Sequence, residues 1–294
     1  MEVLWVVALM LMVLGSGILW TQRRKAAQRE VDRRVERGGL PGERDLVEAA
    51  LEWYRRRQEI LILGVLAGVL IAGAAVVLVH LGMDLGFVPG AALDIRLVSW
   101  LLAATAAFGG FATLINGYRT VRASRADGPR LAALRPRRLS DYLSPVEIAI
   151  YEGCVVVPLV GAALALVVLG TNDHPARGWI LIASGLAGVV VWAIGLLLTR
   201  TVLRVNQSSG REAELRWQEA LRATTLRDIG SAVLTVAWLL GAAMPMSFEW
   251  PSDVPGYVEP LATVLFLVSV GLWCTALMVA ASRRGLQRVQ RVAG

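Results

Sequence analysis

Glu152 is the ionisable side chain that stands closest to the interior of a long apolar stretch, because the run Cys154–Leu169 begins two residues after it. A charge placed in hydrocarbon costs about 2.5–3.5 kcal/mol on insertion scales, so one retained there marks an ion or solute path or a boundary ion pair. Arg119 and Arg200 close two neighbouring apolar runs and are the cations expected to neutralise it. A carboxylate that snorkels to the boundary and pairs there is the simpler reading.

Other constellations carry less. His80, Asp84, Asp94, Asp173 and His174 include zinc- or manganese-type ligands. They come from two loops and show neither HxxxH nor HExxH, so polar loop tips are the expected reading. Ser99 and His80 lie near the ends of adjacent runs, but no GxSxG is present to suggest an activated serine and its oxyanion donors. Cys154 and Cys274 form no CxxC and read as small hydrophobes. Lys25, the only lysine, lies in a charged linker, where it cannot form a retinal Schiff base within a span. A GxxxxGK[ST] loop is missing as well. The sequence therefore assigns no catalytic, metal-binding or cofactor-binding residue, and the chain is expected not to be an enzyme.

The elements that carry these residues follow from composition. Of 294 residues, 56% are hydrophobic and 18% charged, against about 25% charged in ordinary soluble domains. The apolar residues are gathered into charge-free runs of the length a bilayer needs, about 20 residues at about 1.5 Å each. They lack the alternation of barrel strands, and only helices or closed barrels satisfy their backbone groups in lipid. The expected fold is an all-α polytopic membrane protein with seven transmembrane helices, built as one anchor helix plus three related hairpins. The anchor occupies 1–22, and a charged, amphipathic cytoplasmic linker follows at 23–58. Hairpins are expected at 59–118, 148–199 and 229–282. A basic link at 119–147, an amphipathic link at 200–228 and a basic tail at 283–294 complete the chain.

Charge sets the orientation. With the N-terminus outside and the C-terminus cytoplasmic, 28 of the 30 Lys and Arg residues fall on the inner side; Arg96 and Arg177 are the exceptions. This asymmetry is what the positive-inside rule describes. The net charge of +7 then speaks for a membrane surface, not for nucleic acid. Twenty-nine of the 30 basic residues are arginine, a bias of high-GC genomes that suggests a bacterial plasma membrane.

Sliding the chain by 81 residues lays Arg119–Ile148 on Arg200–Ile229, with eight identities in 30 ungapped positions. Glu147 and Asp228 coincide as acids. Both links are expected to be helical and to lie along the inner surface, where arginine attracts anionic headgroups. In the second, Ala213, Trp217, Ala220, Leu221 and Thr224 share one face, with Arg216 and Glu219 expected to point away. Packing beneath the bundle is the alternative.

Small residues mark close helix contacts: Gly64 and Gly68, Gly109 and Gly110, and Gly185 and Gly188. The function these features suggest is a scaffold or accessory component of a membrane system, holding lipid or a cytoplasmic protein partner. The alternative is a permease or channel-like carrier of an uncharged or amphiphilic solute, for which a polar path reaching Glu152, Asn116 or Tyr118 would be required.

Overall fold

The structure, a computed structural model, describes residues 3–80, 95–123, 130–131, 137–170, 175–205, 207–208 and 211–243, with isolated residues between 256 and 275. Asp84, Asp94, Asp173, His174, the basic tail and most of the last expected span lie outside the described residues.

Helices dominate: α1 (Val3–Gly38), α2 (Arg44–His80), α3 (Ile95–Ala123), α4 (Leu139–Tyr142), α5 (Pro145–Gly153), α6 (Val156–Gly170), α7 (Pro175–Arg204) and α8 (Glu212–Trp238). A π-helical turn, Leu239–Ala243, continues α8. Two residue pairs, β1 (Arg130–Leu131) and β2 (Gln207–Ser208), form a short antiparallel ladder that ties the two links together. Among the described residues, Pro145–Leu166 and Leu181–Arg204 are long and apolar enough to cross a membrane.

The expected boundaries at the inner face do not coincide with helix ends. Those at 22/23, 58/59, 118/119, 147/148, 199/200 and 228/229 all fall inside continuous helices. The reason is local. Between Arg55 and Ile62 there is no proline or glycine, so the change from charged to apolar residues changes the solvent and not the backbone. Helix α1 ends instead at Gly39, whose φ of 58° is the left-handed cap that glycine supplies. The Leu40 N–H then turns back to the Arg34 carbonyl (3.4 Å).

Helix α8 is central. It packs against α3 and α7, and its inner half meets α2 and α5. Its side chains Ala220, Ala223, Leu226, Ile229, Val233, Val236 and Ala237 are buried. The inner halves of α1 and α2 contribute Ala27, Val31, Ala50 and Tyr54 to the same core, and α4–α5 contribute Tyr142, Leu143 and Ile150. The links therefore pack beneath the bundle as a folded body. Trp217, expected among headgroups, is 4% exposed and donates its indole N–H to the Pro41 carbonyl (3.0 Å).

The apolar part is organised by close contacts. A Cβ on Gly64 would meet Ala112 and the Phe108 carbonyl; one on Gly109 would touch Val65. Gly110 and Gly117 face Val236 and Ile229 of α8. Gly185 and Gly188 sit against Pro158 and Ala162. Gly68 is buried in α2.

Pro158 interrupts the helix that the sequence places at the start of the second hairpin. Without its N–H it cannot bond the Cys154 carbonyl, which accepts the Val157 N–H instead (3.2 Å). The result is the break between α5 and α6. The π-helical turn lies beside it: a Cβ on Gly241 would stand 2.5 Å from Pro158 N, and one on Gly161 would strike the Gly241 carbonyl. Ser184 of α7 spans the crossing, its hydroxyl within hydrogen-bond distance of the carbonyls of Leu181 (2.8 Å) and Leu240 (3.2 Å).

Candidate functional site

The densest chemistry among the described residues is a layer of ion pairs where the charged and apolar halves of the helices meet. Arg227 and Asp228, successive residues of α8, reach in two directions. Arg57 of α2 donates Nε and Nη2 to the two Asp228 oxygens (2.5 and 2.6 Å). Arg227 Nε lies 3.4 Å from Glu147 of α5. Glu147 also closes a capping box, accepting the Ser144 N–H (2.7 Å) while its own N–H bonds the Ser144 hydroxyl (3.1 Å). Arg23 of α1 pairs with Glu59 of α2 (3.1 Å) and covers the Trp20 ring at 4.2 Å. The acid at the inner start of each hairpin, Glu59, Glu147 or Asp228, is thus held by an arginine from another helix.

Deeper in the folded body of the links, Glu219 accepts the Tyr142 hydroxyl (2.6 Å) and pairs with Arg222 (2.7 Å) and Arg137 (3.1 Å). Both Glu219 and Arg222 side chains are 8% exposed. This corrects the expectation that Glu219 points away: a carboxylate with two guanidinium partners and a phenol can be buried because its lone pairs are taken. Arg222 also donates to the Val205 carbonyl (2.9 Å), tying the end of α7 to the same group.

The electrostatics follow the geometry. Burial, and then the hydrogen bond to Glu219, push the Tyr142 phenol up to about 12. Burial also raises Tyr54, whose hydroxyl lies 3.4 Å from that of Thr224. For Arg57, desolvation works against the charge, and the attraction of Asp228 more than reverses it, so its pKa is raised.

The residues singled out in the sequence are distributed differently. Glu152 is exposed on α5, and neither Arg119 nor Arg200, each exposed on its own helix, pairs with it. Its backbone carbonyl accepts the Trp192 indole N–H (3.1 Å). Tyr118 is 53% exposed on the periphery. Ser231 lies beside Tyr151, their hydroxyls 3.5 Å apart. No three of His, Cys, Asp and Glu converge among the described residues. Sequence reasoning found the acids Glu147 and Asp228 through the 81-residue repeat; it missed Arg57, Tyr142, Arg137 and Arg222. Their partners lie 77 to 171 residues away for the hydrogen-bonded pairs Tyr142–Glu219 and Arg57–Asp228. Compared with known proteins, the chain matches no family model, no curated protein and no solved structure.

Proposed function

We propose that this is a multi-pass protein of the bacterial plasma membrane, with seven spans and an outer N-terminus, that serves as a non-enzymatic scaffold or accessory component. Its inner body would hold anionic lipid headgroups or a cytoplasmic protein. The membrane reading is supported by the side chains left facing outward, among them Ile18, Leu70, Leu159, Leu166, Leu186 and Leu197, each at least 50% exposed. So broad an apolar surface is what lipid covers.

The observation that carries the scaffold reading is where the polar residues stand. Of the residues a solute path would use, Glu152 and Tyr118 are on the outside and Asn116 is half-buried, while the central positions Ala232, Val233, Val236 and Ala237 are apolar and buried. One feature favours the permease as a second reading: the helix that carries Pro158 is broken between α5 and α6, as discontinuous transporter helices are, beside the π-helical turn Leu239–Ala243.

Two measurements test this. Cysteines placed at Gln28 and Arg216 should react with an impermeant thiol reagent only after the cells are opened, and one at Asp173 without opening; labelling of positions 28 and 216 on opposite sides would overturn the topology. Purification in mild detergent should retain anionic lipid or a cytoplasmic protein on the inner body. Selective solute release from liposomes carrying the purified chain would establish the permease instead.

A further inference from the structure

Helix α5 is jointed at both ends. Before it, Leu143 and Ser144 are extended (φ −112°, ψ 154° and φ −73°, ψ 155°). After it, two successive carbonyls go to side chains. The Tyr151 carbonyl accepts from the Cys154 thiol (3.1 Å), and the Glu152 carbonyl accepts the indole N–H of Trp192 from α7 (3.1 Å). Backbone bonds across this joint run from the Cys154 N–H to Ile150, from the Val157 N–H to Cys154 and from the Leu159 N–H to Val155. Space is open there too, since a Cβ on Gly153 would meet nothing within 4 Å. The elements on either side are fixed. Helix α4 is held by the Tyr142–Glu219 bond (2.6 Å), and α6 by the close crossing of Pro158 and Gly161 with Gly241.

We infer that α5 is a strap that lifts from α8 as a unit, about joints at 143–144 and 154–155, with the Trp192–Glu152 bond as its catch. The first argument is its fastening. Arg227 Nε stands 3.4 Å from Glu147, and the Tyr151 and Ser231 hydroxyls are 3.5 Å apart, long for such pairs beside the 2.6 Å of Tyr142–Glu219. The second argument is an unmade bond. Glu147 Oε1 is buried without a hydrogen-bond partner, so the lowered strap withholds from a carboxylate oxygen what water supplies when it is raised. The opposing term is apolar: Ile150 and Tyr151, 9% and 7% exposed, come out with the strap. The lowered position is therefore the majority one, and the raised position is a local opening that costs less than unfolding. Beneath the strap lie Arg227, Ser231 and Gly230, on which the Tyr151 ring rests. Raising it bares that side of α8 to the partner proposed above, a consequence that rests on the scaffold reading; the motion itself does not.

The test follows the full chain in lipid nanodiscs by hydrogen–deuterium exchange. Amides of α5 should exchange about tenfold or more faster than those of α8. Trp192→Phe removes the catch and should speed α5 exchange about fivefold while leaving α8 unchanged. Gly153→Ala stiffens the joint without a clash and should slow it about fourfold. Cys154 gives a second readout. In a Cys274→Ser chain it is the sole cysteine, 1% exposed, and its alkylation by N-ethylmaleimide should quicken with Trp192→Phe and slow with Gly153→Ala. Native α5 and α8 amides that exchange together overturn the proposal, because α5 then opens only with the whole fold. So does a Trp192→Phe chain in which α5 and α8 shift equally, or in which neither α5 exchange nor Cys154 alkylation changes. None of these measurements needs a bound partner, so they judge the strap apart from the scaffold reading.

Discussion

Arg57 and Asp228 meet through two parallel hydrogen bonds, Nε to Oδ2 and Nη2 to Oδ1, across 171 residues of sequence. This bidentate geometry fixes the angle between two planar groups as well as their distance, so it sets how α2 stands against α8 where their charged halves give way to apolar ones. Because the Asp228 and Arg57 side chains are 14% and 27% exposed, removing one partner strands the other in a poorly solvated place.

Asp228→Asn should therefore destabilise the fold by about 2–4 kcal/mol, read as a lower melting temperature in detergent. Replacing both residues by apolar ones of similar size, Arg57→Met with Asp228→Leu, should recover most of the loss. Equal melting temperatures for the single and double variants would show that the pair acts through something other than its charges.

Tyr142 links stability to pH. Its folded phenol lies at about 12, above the ordinary value of 10. The folded state therefore holds the proton more tightly, and the stabilisation is complete below about pH 10 and declines as the pH rises through 12. Tyr142→Phe should remove that decline and, at neutral pH, cost about 1–2 kcal/mol for the lost bond to Glu219. Unfolding measured from pH 8 to 12 checks both.

Gly241→Ala should be among the most damaging small changes in the chain. Its new methyl would meet the backbone of Pro158 and Val157 within 2.7 Å, and backbone cannot step aside. Overpacking of this kind costs about 1–3 kcal/mol. Gly15→Ala and Gly17→Ala, with nothing within 4 Å, should leave thermal stability unchanged and serve as the control.

The exposed pair Glu52–Arg56 should contribute nothing that a melt can detect. Its hydrogen bond holds the Glu52 carboxyl below the usual value, but solvent and salt screen it. Glu52→Gln should melt with the native chain, in contrast to Asp228→Asn.

Much of this architecture was legible in the sequence, and the illegible part has a common cause. Long helices and the close contacts at Gly64, Gly185 and Gly188 can be read from one segment at a time. The inner body cannot. Helical periodicity files Glu219 with the solvent-facing residues, and only the arrival of Tyr142, Arg137 and Arg222 makes its burial possible. The continuity of α1 and α2 was readable in principle, since no proline or glycine separates their charged and apolar halves, whereas α8 runs on through Gly230 at that junction. Glu152 stood out from its sequence neighbours, and its exposure depends on which side of α5 meets α8.

The Pro158 break and the π-helical turn carry a historical consequence. Leu239, where the π-helical turn begins, stands 81 residues after Pro158, the same displacement that aligns the two links. One arm breaks its hydrogen-bond ladder because an imino acid lacks a proton; in the other a turn is wound one residue wider. If the hairpins descend from one ancestor, selection preserved the site of the defect and let its chemical origin drift. Kinship between such units is then better recorded in where their helices fail than in which amino acids they share.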